Sequence, residues 1–157
     1  MRSALLLPLA ACSSIAQAQE QSLVGVWKLV SYDLELKDGG PQQKLFGENP
    51  PGYLIFTANH RMMAVLEAAD RKPYTTAEEG TNLLLSMAAY SGTYRLEGNT
   101  WITKVDVAWH PLQHNTEQVR YYTVDGDLLS VTTPWITDPR LPNQPETRSI
   151  LVWRKVE

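Results

Sequence analysis

Cysteine is almost missing from this sequence: Cys12 is the only one in 157 residues. No disulfide can therefore form within the chain, and its fold must rest on a hydrophobic core. An excess of basic residues is missing as well. Lys and Arg number 14 against 17 Asp and Glu, a balance unsuited to a phosphate backbone, so nucleic acid is not an expected partner. No apolar run approaches the roughly 20 residues that a membrane-crossing helix needs, and no transmembrane segment is expected in the mature chain. There is no Gly-x-Ser-x-Gly elbow for a serine nucleophile. Asp38-Gly39-Gly40-Pro41 leads into a loop and not a helix, so it cannot cradle a phosphate. No cofactor is implied.

The first eighteen residues read as a leader. Arg2 supplies a positive start, Ala4 to Ala11 an apolar core, and Ala16-Gln17-Ala18 the small-x-small pattern that precedes cleavage. On that reading residues 1–18 are a signal peptide, and residues 19–157 are a single domain of an exported protein, periplasmic or secreted. A second reading takes Leu9-Ala10-Ala11-Cys12 as a lipobox, which would anchor the protein through a lipidated Cys12.

Beyond the leader, strand-like runs alternate with turn signals. Gly52 to Thr57 and Arg61 to Ala68 form one candidate hairpin. Gly92 to Glu97 meets Thr100 to Trp109 across Gly98-Asn99, and Glu117 to Val124 meets Asp127 to Trp135 across Asp125-Gly126; both dipeptides suit tight turns. With Leu23 to Leu36 at the start and Thr147 to Val156 at the end, eight strands are expected. Thr75 and Thr76, each followed three residues later by glutamate, predict the N-cap of one short helix, with Leu84, Met87 and Ala88 along one side. So many antiparallel strands in one sheet must curl or close, and closure removes exposed edges. A closed eight-stranded barrel holds either its own side chains or one small ligand.

Aromatic and soft residues are the candidates for lining such an interior: Tyr53, Phe56, Met62, Met63, Trp101, Trp109, Tyr121, Tyr122 and Trp135. Within residues 101–109 the odd positions Trp101, Thr103, Val105, Val107 and Trp109 share the expected inner face, leaving Lys104 and Asp106 outside. In the next strand Val119, Tyr121 and Thr123 oppose Gln118, Arg120, Tyr122 and Val124, and composition does not choose between the faces. An interior Arg120 would be the natural anchor for a carboxylate or enolate; an exterior one would pair with Glu117 or Asp106. His110 and His114 have a spacing that can serve metal ligation, but Pro111 puts them in a loop and only Glu117 is near as a third ligand, so no metal site is expected. His110, at a strand end, is a candidate acid or base. In the first strand, Leu23 to Val30 is apolar on both faces, whereas Tyr32, Leu34 and Leu36 alternate with polar residues.

Several motifs in order carry a family likeness: Gly25-Val26-Trp27-Lys28-Leu29-Val30-Ser31-Tyr32, Phe46-Gly47-Glu48-Asn49-Pro50, Gly52 to Thr57, Arg61-Met62-Met63-Ala64, Ala89 to Tyr94, and Leu151-Val152-Trp153-Arg154. Over about Leu23 to Val156 the chain resembles the lipocalin-like domain proteins of bacteria and fungi, small barrels of the calycin type. The resemblance implies an all-β fold, an eight-stranded, mostly antiparallel lipocalin-like barrel with one short helix, and a cavity. It does not imply one activity, since some fungal relatives act as cyclases or isomerases. It further implies that Gly25 and Trp27 stand at the barrel base, Trp27 as a plug covered by an arginine, Arg154 or Arg148. One departure is the tip Ala58-Asn59-His60, where relatives carry an Asp-Gly pair and where Asn59 is expected to take the left-handed conformation.

The expectation is a barrel that binds a small hydrophobic ligand, with Tyr53, Phe56, Met62, Trp101, Trp109, Arg120 and Tyr121 as binding residues. Catalytic residues remain unassigned beyond the candidates His110 and Arg120. The alternatives are a cofactor-independent isomerase or cyclase using the same cavity, and a filled structural barrel.

Overall fold

The computed structural model describes residues 21–137, 141 and 143–157. The leader and its cleavage motifs, Cys12 included, lie outside the described residues. Among those described, no helix is long and apolar enough to cross a membrane.

Among the described residues nine strands form in chain order: β1 Gly25–Leu36, β2 Gly52–Phe56, β3 Arg61–Glu67, β4 Met87–Glu97, β5 Thr100–Ala108, β6 Glu117–Asp125, β7 Leu128–Thr132, β8 Ile136–Thr137 and β9 Glu146–Lys155. A short helix, α1, spans Ala77–Leu85. Each strand pairs antiparallel with the next through β7, which pairs with β9, and β9 closes on β1. Eight strands thus make a closed barrel. The short β8 adds to the same edge of β9 as β7 does, farther along, at Ile136↔Thr147. The run expected from Asp127 to Trp135 ends as a strand at Thr132, just before Pro134, which has no N–H for the ladder, and β8 follows beyond its expected end.

Two register shifts redirect the alternation. In β1 the buried positions are Trp27 and Leu29, then Tyr32 and Leu34, and the change of parity coincides with a bulge against β9 between Leu29 and Ser31. Val30, at the bulge, is exposed, so the apolar residues of this segment are not buried on both faces. The second shift sets Ser91 opposite Val107 but Gly92 opposite Val105. Gly92 is required there, since a Cβ would stand 2.1 Å from the Lys104 carbonyl oxygen. Past this bulge Val107 points out and is 61% exposed, against the expected inner face, while Trp101, Thr103 and Val105 remain buried.

The base is built around Trp27, which is fully buried and donates its indole N–H to the Leu23 carbonyl at 2.8 Å. The chain end crosses beneath it through Val26 N–H to Glu157 O at 2.9 Å and Val156 N–H to Val26 O at 2.8 Å. Gly25 takes a φ of 137°, and a Cβ there would meet the Glu157 carbonyl oxygen at 2.3 Å, which is why glycine precedes the plug. The cation over the Trp27 ring is Lys155, 5.2 Å from the centroid. Arg154 is exposed and faces Asp127 at 3.4 Å, while Arg148 pairs with Glu35 and stacks on Trp135. The expected arginine is thus replaced by a lysine one position on, because Trp153 takes the inward position of β9.

At the β2–β3 tip the left-handed residue is His60, with φ 56°, and not Asn59. In α1 the expected capping box forms: Thr76 Oγ1 accepts from Glu79 N–H, and the Glu79 carboxylate accepts from the N–H groups of Thr75 and Thr76. The helix buries no residue, Leu84 is exposed, and Met87 and Ala88 belong to β4, so the predicted apolar side is not a helical one.

Candidate functional site

Inside the barrel, between the Trp27 base and the opposite end, lies a cavity of about 500 Å³. That volume falls in the range of sites for small organic ligands. Its walls come from inward positions of nearly every strand: Tyr32 of β1, Leu54 of β2, Ala64 and Leu66 of β3, Tyr90 of β4, Trp101 of β5, Val131 of β7, Leu151 and Trp153 of β9. Phe46, from the loop between β1 and β2, packs edge-on against Tyr32 at 4.6 Å and closes one side. The far end is bordered by Met87, Trp109, Gln113, Thr133, Pro134 and Ile136.

Of the predicted site residues, the fold brings Trp101, Trp109 and Arg120 to the cavity wall. Phe56 and Met62 are buried deeper, below the cavity: Phe56 meets Trp101 at 5.1 Å and Tyr94 at 5.0 Å, both edge-on. Tyr53 and Tyr121 lie outside, 50% and 44% exposed, as does Met63. Their neighbours in sequence explain this. Gly52, Leu54 and Phe56 take the inner parity of β2, and Arg120, Tyr122 and Val124 that of β6. Trp135 is half-buried beneath Arg148, whose guanidinium carbon is 4.7 Å from the ring centroid, and it does not border the cavity.

Charged and amide side chains of β6, Glu117, Gln118 and Arg120, border one wall. Arg120 donates through Nη1 to the Val119 carbonyl at 2.7 Å and through Nη2 to Gln118 Oε1 at 3.3 Å, and its guanidinium stands 5.7 Å from the Tyr90 ring centroid. Gln118 in turn donates to Thr116 Oγ1 at 3.0 Å. Neither carboxylate considered from sequence reaches Arg120. Glu117 is held by Arg95 through both oxygens, at 2.6 and 3.2 Å, and Asp106 by Arg61 at 2.7 and 3.2 Å. Each arginine keeps its partner's carboxyl below the usual carboxylate range through these hydrogen bonds. Across the cavity the hydroxyls of Tyr32 and Ser149 are 3.0 Å apart. Tyr122 is buried with its hydroxyl unpartnered among the described residues, and burial raises its pKa above the ordinary value.

His110 does not border the cavity. It caps the short 3-10 turn Pro111–Gln113, and its Nδ1 accepts from Leu112 N–H at 3.3 Å. His114 Nε2 lies 3.3 Å from the Ala108 carbonyl oxygen. Both rings are thus engaged in shaping the loop. Among the described residues no three His, Cys, Asp or Glu side chains gather as a metal site.

Sequence reasoning missed Tyr90, Gln113, Gln118, Thr133 and Ser149. Gln118 shares parity with Arg120 and was recoverable once that face was chosen. Gln113 and Thr133 sit outside the β-ladder, where period-2 alternation carries no information.

A family profile described as a lipocalin-like domain matches residues 24–156. Among solved structures, a lipocalin-like protein from Bacteroides uniformis is similar at 13% identity, covering 86% of this chain and 99% of that one, with a TM-score of 0.44. No curated protein matches the chain.

Proposed function

The chain belongs to the lipocalin-like domain family, and from that premise we propose that it is an exported protein that binds a small, largely hydrophobic molecule inside its barrel. One observation carries the reading: the 500 Å³ interior space is walled mostly by aromatic and aliphatic side chains, with a few polar groups set among them, Arg120 and Gln118 on one wall and Tyr32 and Ser149 on another. A preformed apolar pocket with a few placed polar groups is how small-molecule sites are built. A barrel serving only as structure would fill this space with its own side chains, since interiors otherwise pack to crystal-like density. Export rests on the leader-like residues 1–18.

Native mass spectrometry of the protein recovered from its own host tests both parts. The expected mass is that of a chain starting at Gln19 with a small molecule retained; an acylated Cys12 overturns the free exported form. For the pocket, the neutral dye N-phenyl-1-naphthylamine should bind and quench tryptophan emission, because Trp101, Trp109 and Trp153 border the space. Trp109→Ala should weaken the dye more than His110→Ala, since apolar burial supplies the affinity. At 100 times its dissociation constant the dye should add about 2.7 kcal/mol to stability. A dye that neither binds nor raises the melting temperature overturns the binding reading.

A further inference from the structure

Arg120 is the cation of the cavity wall, and its surroundings say what it faces. A guanidinium offers five N–H donors in a rigid fork. Here the protein acceptors are neutral, the Val119 carbonyl and the Gln118 side-chain oxygen. The two nearby carboxylates are each committed in bidentate fashion to other arginines, Glu117 to Arg95 and Asp106 to Arg61. Among the described residues Arg120 has no carboxylate within ion-pair distance. A partly buried charge without a counter-ion is costly, and this one stands beside Tyr90 at a space whose lining includes Trp101, Trp153, Leu54 and Leu151 as well as Glu117.

We infer that the ligand of this cavity is an amphiphilic carboxylic acid, its carboxylate held by the free N–H groups of Arg120 and its apolar body lying along the tryptophan and leucine wall. The inference rests on the binding reading above and names the class of molecule that satisfies it. A planar carboxylate matches the guanidinium fork through two parallel hydrogen bonds. It also carries one charge, which one arginine neutralises, whereas a phosphate dianion would leave a charge uncompensated in the barrel. Gln118 is a positioning residue: anchored by Thr116 Oγ1, it orients the guanidinium from the side. Because Arg95 neutralises Glu117, that carboxylate does not turn the wall against an anion.

The test is displacement of N-phenyl-1-naphthylamine at pH 8 by three probes of one chain length: dodecanoate, dodecan-1-ol and dodecyltrimethylammonium. Dodecanoate should bind about 10- to 100-fold more tightly than dodecan-1-ol, the size of a charge-assisted hydrogen-bonded pair, with the ammonium weakest. Arg120→Met should erase the margin between acid and alcohol while alcohol binding stays within about twofold, and Arg120→Lys should keep part of the margin because it retains the charge without the fork. If Arg120→Met does not fold, the wild-type ranking and the lysine variant decide. Equal affinity of acid and alcohol in the wild type, or an unchanged margin in Arg120→Met, overturns the carboxylate and leaves apolar binding standing. A dye that never binds overturns both readings.

Discussion

Tyr122 shows how much one side chain's environment decides. Its ring is buried against Trp101, with centroids 5.9 Å apart, and its hydroxyl has no partner among the described residues. A buried hydroxyl without a partner costs about 1 to 3 kcal/mol of desolvation, so Tyr122→Phe should leave stability unchanged or raise it by about 1 kcal/mol. The pH dependence has a definite sign. Burial raises the folded-state pKa above the ordinary value of 10. The stability linked to keeping this phenol protonated is therefore complete below pH 10 and is lost as pH rises through the folded value. Urea unfolding between pH 8 and 11 should show the alkaline decline shrink in the phenylalanine variant. An undiminished decline would assign it to other groups.

At the scale of elements, α1 and the barrel strands are stabilised in different ways. The helix has a complete capping box but buries no residue, so local bonds hold it and not the core. Removing the Thr76 hydroxyl should cost about 1 kcal/mol, the usual worth of an N-cap. Because the helix contributes nothing buried, that loss should stay local. In Thr76→Ala, hydrogen exchange of the Ala77–Leu85 amides should accelerate about fivefold while the melting temperature of the barrel is unchanged. A lower global melting temperature would show that α1 is coupled to the core. The strands depend instead on register. The bulges at Leu29/Ser31 and Ser91/Gly92 decide which of two alternating faces turns inward on either side of each irregularity.

For the whole molecule, closure is the organising event. With β9 paired to both β7 and β1, no long edge of the barrel is left to template aggregation. Trp27 seals one end of that closed wall. Trp27→Ala should destabilise the protein by about 3 to 5 kcal/mol, the range for a large buried aromatic, measured by urea denaturation. Since Trp27 does not border the cavity, the folded fraction of the variant should still bind N-phenyl-1-naphthylamine with wild-type affinity. A loss below about 1 kcal/mol would be a surface-sized effect and would remove Trp27 from the base.

Local chemistry in the sequence by itself determined the number of barrel strands, the turns at Gly98-Asn99 and Gly126 and the helix cap at Thr76, while the place of Trp27 came from the family resemblance. Each of the former depends on residues within a few positions of one another, or on a pattern of period two, and both are legible along a chain. Tertiary structure alone decided which face of β6 turned inward. Gln118, Arg120, Tyr122 and Val124 differ little in polarity from Val119, Tyr121 and Thr123, and the choice followed from β6 pairing with β5 in the register Trp101↔Arg120. It decided as well that Val107 faces out, through an extra residue opposite Gly92 that only strand pairing reveals. The state of Arg120 was settled in the same way. Two carboxylates lie near it in sequence or across the sheet, and only the three-dimensional arrangement gave both of them to Arg95 and Arg61, leaving a guanidinium without a counter-ion among the described residues at a mostly apolar cavity.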